Sequence, residues 1–376
     1  MNMRINNIIL QNFRNYSNLE LEFSEHRNII VGENAQGKTN LIEAIYLAAF
    51  AKSFRTNNAG DMVKFGEDRG RVNVDINSED LDKNIDISIL SNGRKMIKKD
   101  GKVVRRTADL LNNIVVIIFS PDDLRIIKDS PERRRAYINR ELSQIRPQYY
   151  DVLKNYSDIL KQKNSLIKGL TNSSYSRTYN DDMMDVYDHQ LADYGYELIR
   201  YRKEFVEMLS EEAAEIMAAI SGGKEQLKIE YVTSCDYITG PEGRELLYKQ
   251  FHHHREKDIY AGFMTIGPHR DDLEFYINGT DAKKYGSQGQ QRTIALSLKL
   301  AEIRIAKRIL DEYPVLLLDD VLSELDLDRQ RFLVNQIDDV QLFITSAELN
   351  EEVERTLRGG TLFRVEDGTI TKVDKY

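Results

Sequence analysis

The stretch Gly32-Glu33-Asn34-Ala35-Gln36-Gly37-Lys38-Thr39 has the residue types and spacing to hold a phosphate chain. Glycines bound a loop that can turn its backbone N–H groups inward, a lysine follows as the reaching cation, and a hydroxyl residue comes next as a ligand for Mg²⁺. Asn28-Ile29-Ile30-Val31 ahead of it reads as a strand, and the amphipathic run from Leu41 to Phe50 reads as a helix whose positive end faces the loop. Gly32, Glu33, Asn34, Ala35, Gln36, Gly37, Lys38 and Thr39 are thus expected to wrap a nucleoside triphosphate, with Lys38 on its β and γ phosphates.

Two later stretches carry matching chemistry. Val315-Leu316-Leu317-Leu318-Asp319-Asp320 is a buried strand that delivers two carboxylates at its carboxyl end, where open α/β sheets bind ligands. Beside a phosphate loop, Asp319 is expected to hold Mg²⁺ with Thr39, and Asp320 to polarise the attacking water. Ser287-Gln288-Gly289-Gln290-Gln291 precedes a long helix, Arg292 to Leu310, and so offers a hydroxyl and free N–H groups at another positive helix end. That motif is weak alone. It gains force from its place ahead of the carboxylate strand, with Ser323-Glu324-Leu325-Asp326 following.

These elements need a scaffold, and the rest of the chain supplies one. At 376 residues the chain exceeds the size of one ordinary core, so more than one structural unit is expected. No apolar run approaches the ~18 residues of a membrane span, and Met1-Asn2-Met3-Arg4 does not open a signal peptide, which points to the cytoplasm and no membrane partner. Cys235 is the single cysteine and excludes an internal disulfide or a thiolate zinc cluster. The run His252-His253-His254 does not qualify as a metal site, since consecutive helical residues point apart. A net charge of −8 means that nucleic-acid binding has to rely on a local patch. Arg94, Lys95, Lys98, Lys99, Lys102, Arg105 and Arg106 form one such patch, between the turn signals Ser91-Asn92-Gly93 and around Asp100-Gly101; Arg133-Arg134-Arg135 form a second. Either patch would also suit an ordinary solvated face.

Period-two alternation marks strands at Leu19–Phe23, Val72–Ile76, Ile85–Ile89, Leu227–Tyr231 and Leu273–Ile277, and Ile114–Phe119 reads as a strand buried on both faces. Ser120-Pro121-Asp122-Asp123-Leu124 after it is placed to lie beside the nucleotide. From Ser130 the period becomes helical. Ile138, Leu142, Ile145, Tyr149, Val152, Tyr156 and Ile159 form one seam, with Pro147 expected to kink or split it. Tyr187, Leu191, Tyr194, Leu198, Tyr201, Phe205 and Met208 form another, across the polar break 171–176. Together they predict an antiparallel helical arm. The expected organisation is an α/β head in two parts, 1–124 and 226–376, with helices inserted at 125–225. Gly267-Pro268-His269-Arg270-Asp271-Asp272 is a block of special residues with no role assigned by pattern alone.

In this combination the chain resembles the ATP-binding-cassette ATPases, in the branch that holds the SMC proteins. The blocks Phe13-Arg14-Asn15-Tyr16, Gly32 to Thr39, Lys52-Ser53-Phe54-Arg55-Thr56, Phe119 to Leu124, Gly267 to Asp272, Ser287 to Arg292 and Leu318 to Asp326 together are similar to the RecF family of bacterial recombination mediators. The resemblance implies a mixed-sheet ATPase head with a short helical arm, ATP and Mg²⁺ as cofactors, and composite sites. Ser287, Gly289 and Gln290 of one subunit would complete the phosphate loop of another, with Asp326 on the same dimer interface. It also implies DNA at single-strand/double-strand junctions, and RecO, RecR, RecA and single-strand-binding protein as partners. Lys38, Asp320 and Ser287 would then carry whatever hydrolysis occurs. A transporter ATPase subunit and an SMC-like scaffold are the rival readings. Against the transporter, Thr345-Ser346 stands where a switch histidine is usual, and Asp320 stands in place of glutamate. These departures predict slow hydrolysis, well below the ~10 s⁻¹ of an ordinary enzyme.

Overall fold

In the computed structural model the described residues are 3–78, 81–172, 177–347, 357 and 359–373. They fall into two compact units, one of residues 1–125, 215–224 and 287–376, the other of 126–214 and 225–286. The sequence expectation kept 226–376 in the head; the contacts instead place 225–286 with the helices, because its strands and helices pack on the helical unit.

The first unit holds two sheets. One is antiparallel in the order β2 (Tyr16–Glu22), β1 (Arg4–Phe13), β4 (Arg69–Ser78), β5 (Leu81–Leu90), β6 (Lys95–Lys99) and β7 (Lys102–Val103). Its alternating pattern buries Ile5, Ile8 and Leu10, then Val72, Val74 and Ile76, then Ile85, Ile87 and Ile89 on one face. The other has the order β15 (Thr369–Val373), β14 (Thr361–Glu366), β3 (Arg27–Val31), β13 (Leu342–Ser346), β12 (Val315–Asp319) and β8 (Val116–Phe119), parallel except for β14 with β15. Strands β8, β12 and β13 are wholly buried and apolar up to the polar residues Asp319, Thr345 and Ser346 at the carboxyl ends of β12 and β13, as strands covered on both faces are. The helix α1 (Lys38–Phe50) after the phosphate loop is not amphipathic, as its pattern suggested; apart from Thr39 and Asn40 all of it is buried. Helix α8 (Gln288–Leu310) is likewise buried along most of its length, and α9 (Leu327–Asn335) follows β12.

The second unit contains α2 (Pro131–Ile145), α3 (Pro147–Asn172), most of α4 (Arg177–Ser221), α5 (Glu242–His253), α6 (Arg255–Ala261), α7 (Ala282–Tyr285), and a sheet of β11 (Thr280–Asp281), β10 (Asp272–Ile277) and β9 (Leu227–Val232). Pro147 splits the first helical seam, as it lacks an N–H to continue α2 and sits instead at the start of α3. Helices α3 and α4 run antiparallel, with Lys163 on Asp188 at 2.5 Å and Tyr149 against Tyr201 at a centroid distance of 5.8 Å. The turn expected at 171–176 lies for the most part outside the described residues. The buried stripe of α4 keeps Leu191, Leu198 and Phe205 of the apolar seam, but Asp188 and Arg202 are buried in place of Tyr187 and Tyr201 one position before them, and Met184 extends the stripe. Two of those are charged. Of the arginine triplet, Arg134 is buried on both carboxylate oxygens of Asp272 at 2.7 Å, and Arg135 donates to the Asp271 carbonyl, so it forms no solvated patch.

The block Gly267–Asp272 resolves into a buried polar network. Arg202 donates to the Pro268 carbonyl at 2.6 Å, to Asn139 Oδ1 at 3.0 Å and to Tyr149 Oη at 3.0 Å. Asp271 accepts from the Ser234 N–H and hydroxyl and from the Tyr231 hydroxyl. His269 donates from Nε2 to the Met264 carbonyl and accepts the Tyr156 hydroxyl at Nδ1, which fixes the neutral ring. Burial, and next the charges of Arg270, Arg135 and Lys163, push its pKa down to about 4 against the one helpful contact from Met264. The unfolded chain binds this proton near the ordinary value and the folded one only near 4, so stability falls as pH drops from ~6.5 to ~4 and this contribution is flat below. The loss over that window should reach ~3 kcal/mol. Urea unfolding at pH 7.0 and 4.5 reads it, and His269→Gln should remove that part of the pH difference; an unchanged difference would assign it elsewhere.

Candidate nucleotide site

The phosphate loop is held from below by its own chain. Gly37 has φ 123°, and a Cβ there would stand 2.7 Å from Asn15 Nδ2 and 2.9 Å from Tyr16 Oη, so only glycine fits. Asn15 Nδ2 donates to the Gln36 carbonyl at 2.7 Å, the Tyr16 hydroxyl to the Gly37 carbonyl at 2.9 Å, and Asn40 Nδ2 to Asn15 Oδ1 at 2.8 Å. On the other side the Asp367 N–H donates to Gln36 Oε1 at 2.6 Å. A Cβ at Gly32 would collide with the Val365 carbonyl oxygen at 2.3 Å, which explains that glycine as a close approach of β14. Lys38 lies over the loop and donates to the carbonyls of Gly32 at 2.5 Å and Glu33 at 2.8 Å. Burial lowers its pKa, against the pull of Asp320 and then Asp319.

The carboxylates arrive as the strand pattern required. Thr39 Oγ1 donates to Asp319 Oδ1 at 3.0 Å, and Thr345 Oγ1 donates to the same oxygen at 2.7 Å. Asp319 is buried, and burial raises its pKa despite these two bonds. A hydroxyl and a buried carboxylate oxygen within hydrogen-bond reach form the hard oxygen donor set that Mg²⁺ takes through one or two protein ligands plus water and phosphate. The residues therefore fit the ion, whose charge would reverse the pKa shift. Asp320 takes the left-handed conformation at φ 52°, with its N–H on Thr345 Oγ1 at 3.0 Å and on the Thr345 carbonyl at 3.2 Å. Thr345 is thus a positioning residue for both aspartates.

Loop and carboxylates enclose a cleft of 310 Å³ lined by Asn34, Ala35, Gly37, Lys38, Thr39, Asn40, Arg55 and Asp320. Arg55 and Asn40 also line an adjoining groove of 860 Å³, with the exposed Phe65 on its wall. Glu43, fully buried on α1, holds both oxygens out to the Arg14 guanidinium at 2.8 and 2.6 Å and meets Arg55 at 3.4 Å. Sequence reasoning passed over Arg55, Asn15 and Asn40 as site residues. Their only signal is membership of the blocks Phe13–Tyr16 and Lys52–Thr56, with Asn40 directly after Thr39.

Other expected members stand elsewhere. Asp123 turns from the cleft to pair with Lys299 on α8 at 3.2 Å and to accept from its own Ser120, so the Ser120–Leu124 loop anchors α8 and is not part of the described lining. Ser287 is the N-cap of α8 in a full capping box with Gln290: the Gln290 N–H donates to Ser287 Oγ at 3.2 Å and the Ser287 N–H to Gln290 Oε1 at 2.9 Å. Asp326 caps α9 at 3.0 Å from the Arg329 N–H. Ser287 and Asp326 are both exposed, as is Leu327, and no residue of 287–291 lines the described cleft. The basic segment does form a hairpin, β6 and β7 about Asp100-Gly101. Its charges are divided by the pleat. Lys95 and Lys99 share a face with Ile97 and pair opposite Ile89 and Ile85, whereas Lys98 lies on the other face opposite Asp86, beside the exposed Met96. Lys95 Nζ is drawn onto the Ala51 carbonyl. Arg94, Arg105 and Arg106 are exposed.

Comparison with known proteins follows this geometry. The chain matches the RecF/RecN/SMC N terminal domain family over residues 4–370. It is 40% identical over 368 residues to the DNA replication and repair protein RecF of Clostridium perfringens, covering 98% of this chain and 99% of that protein. The chain belongs to the RecF family. A RecF of Clostridium botulinum is 42% identical over 373 residues, covering 99% of this chain and all of the other. A solved RecF–ATP structure, described as a recombination mediator of the RecFOR pathway, superposes with a TM-score of 0.90 at 36% identity over 99% of this chain and 98% of that one. The Smc head domain of Pyrococcus furiosus, at 16% identity and a TM-score of 0.57, shares the fold across 99% of this chain and 96% of its own. The family membership sets aside the transporter reading, and among the described residues no helix is long and apolar enough to cross a membrane.

Proposed function

We propose that this chain is an ATP-gated recombination mediator of DNA repair and replication, whose nucleotide site is completed by a second copy. The observation that carries this reading is Gly289. It lies in the first turn of α8, where glycine offers the helix no advantage over alanine. A Cβ at that position would meet only Arg329 Nη2 at 3.5 Å and Ser287 Oγ at 3.9 Å, both ordinary contacts. Nothing among the described residues asks for glycine there, which favours a group that approaches from outside. A γ-phosphate held by Lys38 and Thr39 of another copy meets that demand, with the Ser287 hydroxyl and the helix N–H groups as its partners.

In this mechanism Lys38 leaves the Gly32 and Glu33 carbonyls for the phosphates, while Thr39 and Asp319 hold Mg²⁺. The 310 Å³ cleft takes the triphosphate, and the groove that shares Asn40 and Arg55 with it takes the nucleoside. When bound, Mg²⁺ would supply neutralisation of phosphate charge. Asp320, kept in place by Thr345, is the acceptor nearest to an attacking water, and its short side chain keeps turnover slow. The closed dimer engages duplex DNA at gap junctions, and hydrolysis reopens it, in concert with RecO and RecR in loading RecA where single-strand-binding protein coats the gap. The relatives named above support the pathway.

The basic hairpin is the proposed DNA contact. Lys98→Glu, on the face shared with the exposed Met96, should weaken binding to gapped duplex and lower the slope of log K against log salt by about 1, one unit per phosphate contact. Fluorescence anisotropy across a salt series reads both. Unchanged affinity and slope would move the DNA surface away from this hairpin.

A further inference from the structure

The two exposed elements assigned to the dimer interface, the signature turn at Ser287–Gly289 and the turn at Asp326, are tied together by one side chain. Arg329, in the first turn of α9, donates from Nε to Thr293 Oγ1 at 2.9 Å and from Nη2 to the same hydroxyl at 2.7 Å. Nη2 also donates to the Gly289 carbonyl at 3.1 Å, and Nη1 lies on the Asp326 carboxylate. Thr293 in turn donates its hydroxyl to the Gly289 carbonyl at 2.9 Å. One guanidinium therefore fixes the carbonyl of the glycine that faces the phosphate, the threonine one turn above it, and the aspartate that caps the neighbouring helix.

The tie continues toward the chain's own nucleotide cleft. Gln330, the next residue of α9, donates to the carbonyls of Leu322 at 2.5 Å and Leu325 at 2.9 Å, and the Ser323 hydroxyl donates to the Asp320 carbonyl at 2.8 Å. Asp320 lines the cleft. Hydrogen bonds, with the main chain between Arg329 and Gln330 and between Leu322 and Ser323, thus join the aspartate that lines the chain's own cleft to the glycine offered to the other copy.

We propose that Arg329 is a positioning residue for the composite site: it sets the signature turn and the Asp326 turn as one rigid surface, so that both engage the second copy together. Rigid presentation of paired groups lowers the ordering cost of association, and the planar fork of arginine is what reaches three acceptors at once. Lysine, with a single point of donation, cannot reproduce it.

This proposal rests on the composite-site reading, and its test separates the two. Sedimentation with saturating ATP and Mg²⁺ is run on the full chain for the parent, Arg329→Lys, Thr293→Val and Ser287→Arg, alongside ATP affinity at a protein concentration where all are monomers. Arg329→Lys and Thr293→Val should each raise the concentration for half-dimerisation about tenfold or more while ATP affinity and melting temperature without ATP stay at the parent's values. Dimerisation within about twofold of the parent for both, with Ser287→Arg still abolishing it, would overturn the role of Arg329 and leave the composite site standing. Dimerisation of Ser287→Arg at the parent level would instead overturn the composite site itself. A fall in melting temperature that accounts for the whole loss in both variants would reduce Arg329 to a fold contact.

Discussion

Lys38→Ala should lose ATP binding by on the order of 100-fold or more, because the ammonium supplies charge-assisted contacts worth ~1.5–3 kcal/mol each to the β and γ phosphates. The fold should not suffer. In the nucleotide-free chain the Lys38 ammonium is partly buried, its pKa is lowered by that burial, and its protein partners are two loop carbonyls. Removing it deletes a disfavoured charge and leaves two acceptors facing the cleft, so the melting temperature without nucleotide should stay the same or rise slightly. Titration calorimetry with ATP and Mg²⁺, beside a thermal melt of each protein, measures both sides of this expectation. Affinity within threefold of the parent would show that the loop is not the phosphate site.

Ser287→Arg should do the reverse, keeping ATP on the monomer and abolishing ATP-dependent dimerisation. Ser287 is exposed at the head of α8 and does not line the described cleft of its own chain, so an arginine there has no route to the nucleotide held in cis. It would instead place a long side chain where a second copy's phosphates must approach the helix end. The substitution also removes an N-cap, which costs ~1 kcal/mol in fold stability. Ser287→Ala removes the same cap without adding bulk and serves as the control for fold stability: both variants should melt alike, the alanine should weaken the dimer by loss of the hydroxyl's phosphate contact, and only the arginine should erase the dimer peak in size-exclusion chromatography with ATP. An arginine variant that still dimerises would leave the P-loop as a self-sufficient site.

What the sequence displayed about this site, and what it hid, follows from how each residue signals itself. Gly37, Lys38 and Thr39 stand in a contiguous loop between a strand and a helix, so chemistry and context lie on adjacent residues. Asp319 and Asp320 end an apolar run, which made their place at a sheet edge legible. Arg55, Asn15 and Thr345 gave no such signal, because each reaches the site from a different segment, two loops and strand β13, and only the chain's tertiary path brings them together. The same limit appears in the helices. Tyr187 and Tyr201 of the seam lie one position before the buried Asp188 and Arg202, which an apolar count skips. Those charges are buried because each has a partner, Lys163 in one case and Pro268, Asn139 and Tyr149 in the other. The basic hairpin was found as a hairpin, yet its charges do not share a face, because alternation in a strand divides neighbours that look clustered in print.

The bracing of the phosphate loop carries a consequence for how the protein comes into being. The loop rests on Asn15 and Tyr16 from one end of the chain and on Val365 and Asp367 from the other. Strand β3, which leads into it, lies in the sheet between β13 and β14. A ribosome that has synthesised the loop and α1 has therefore made every loop residue proposed to touch phosphate, yet neither of the strands that flank β3 in its sheet. The proposed nucleotide pocket is finished only after β13, Val365 and Asp367 have been made, long after the loop that names it.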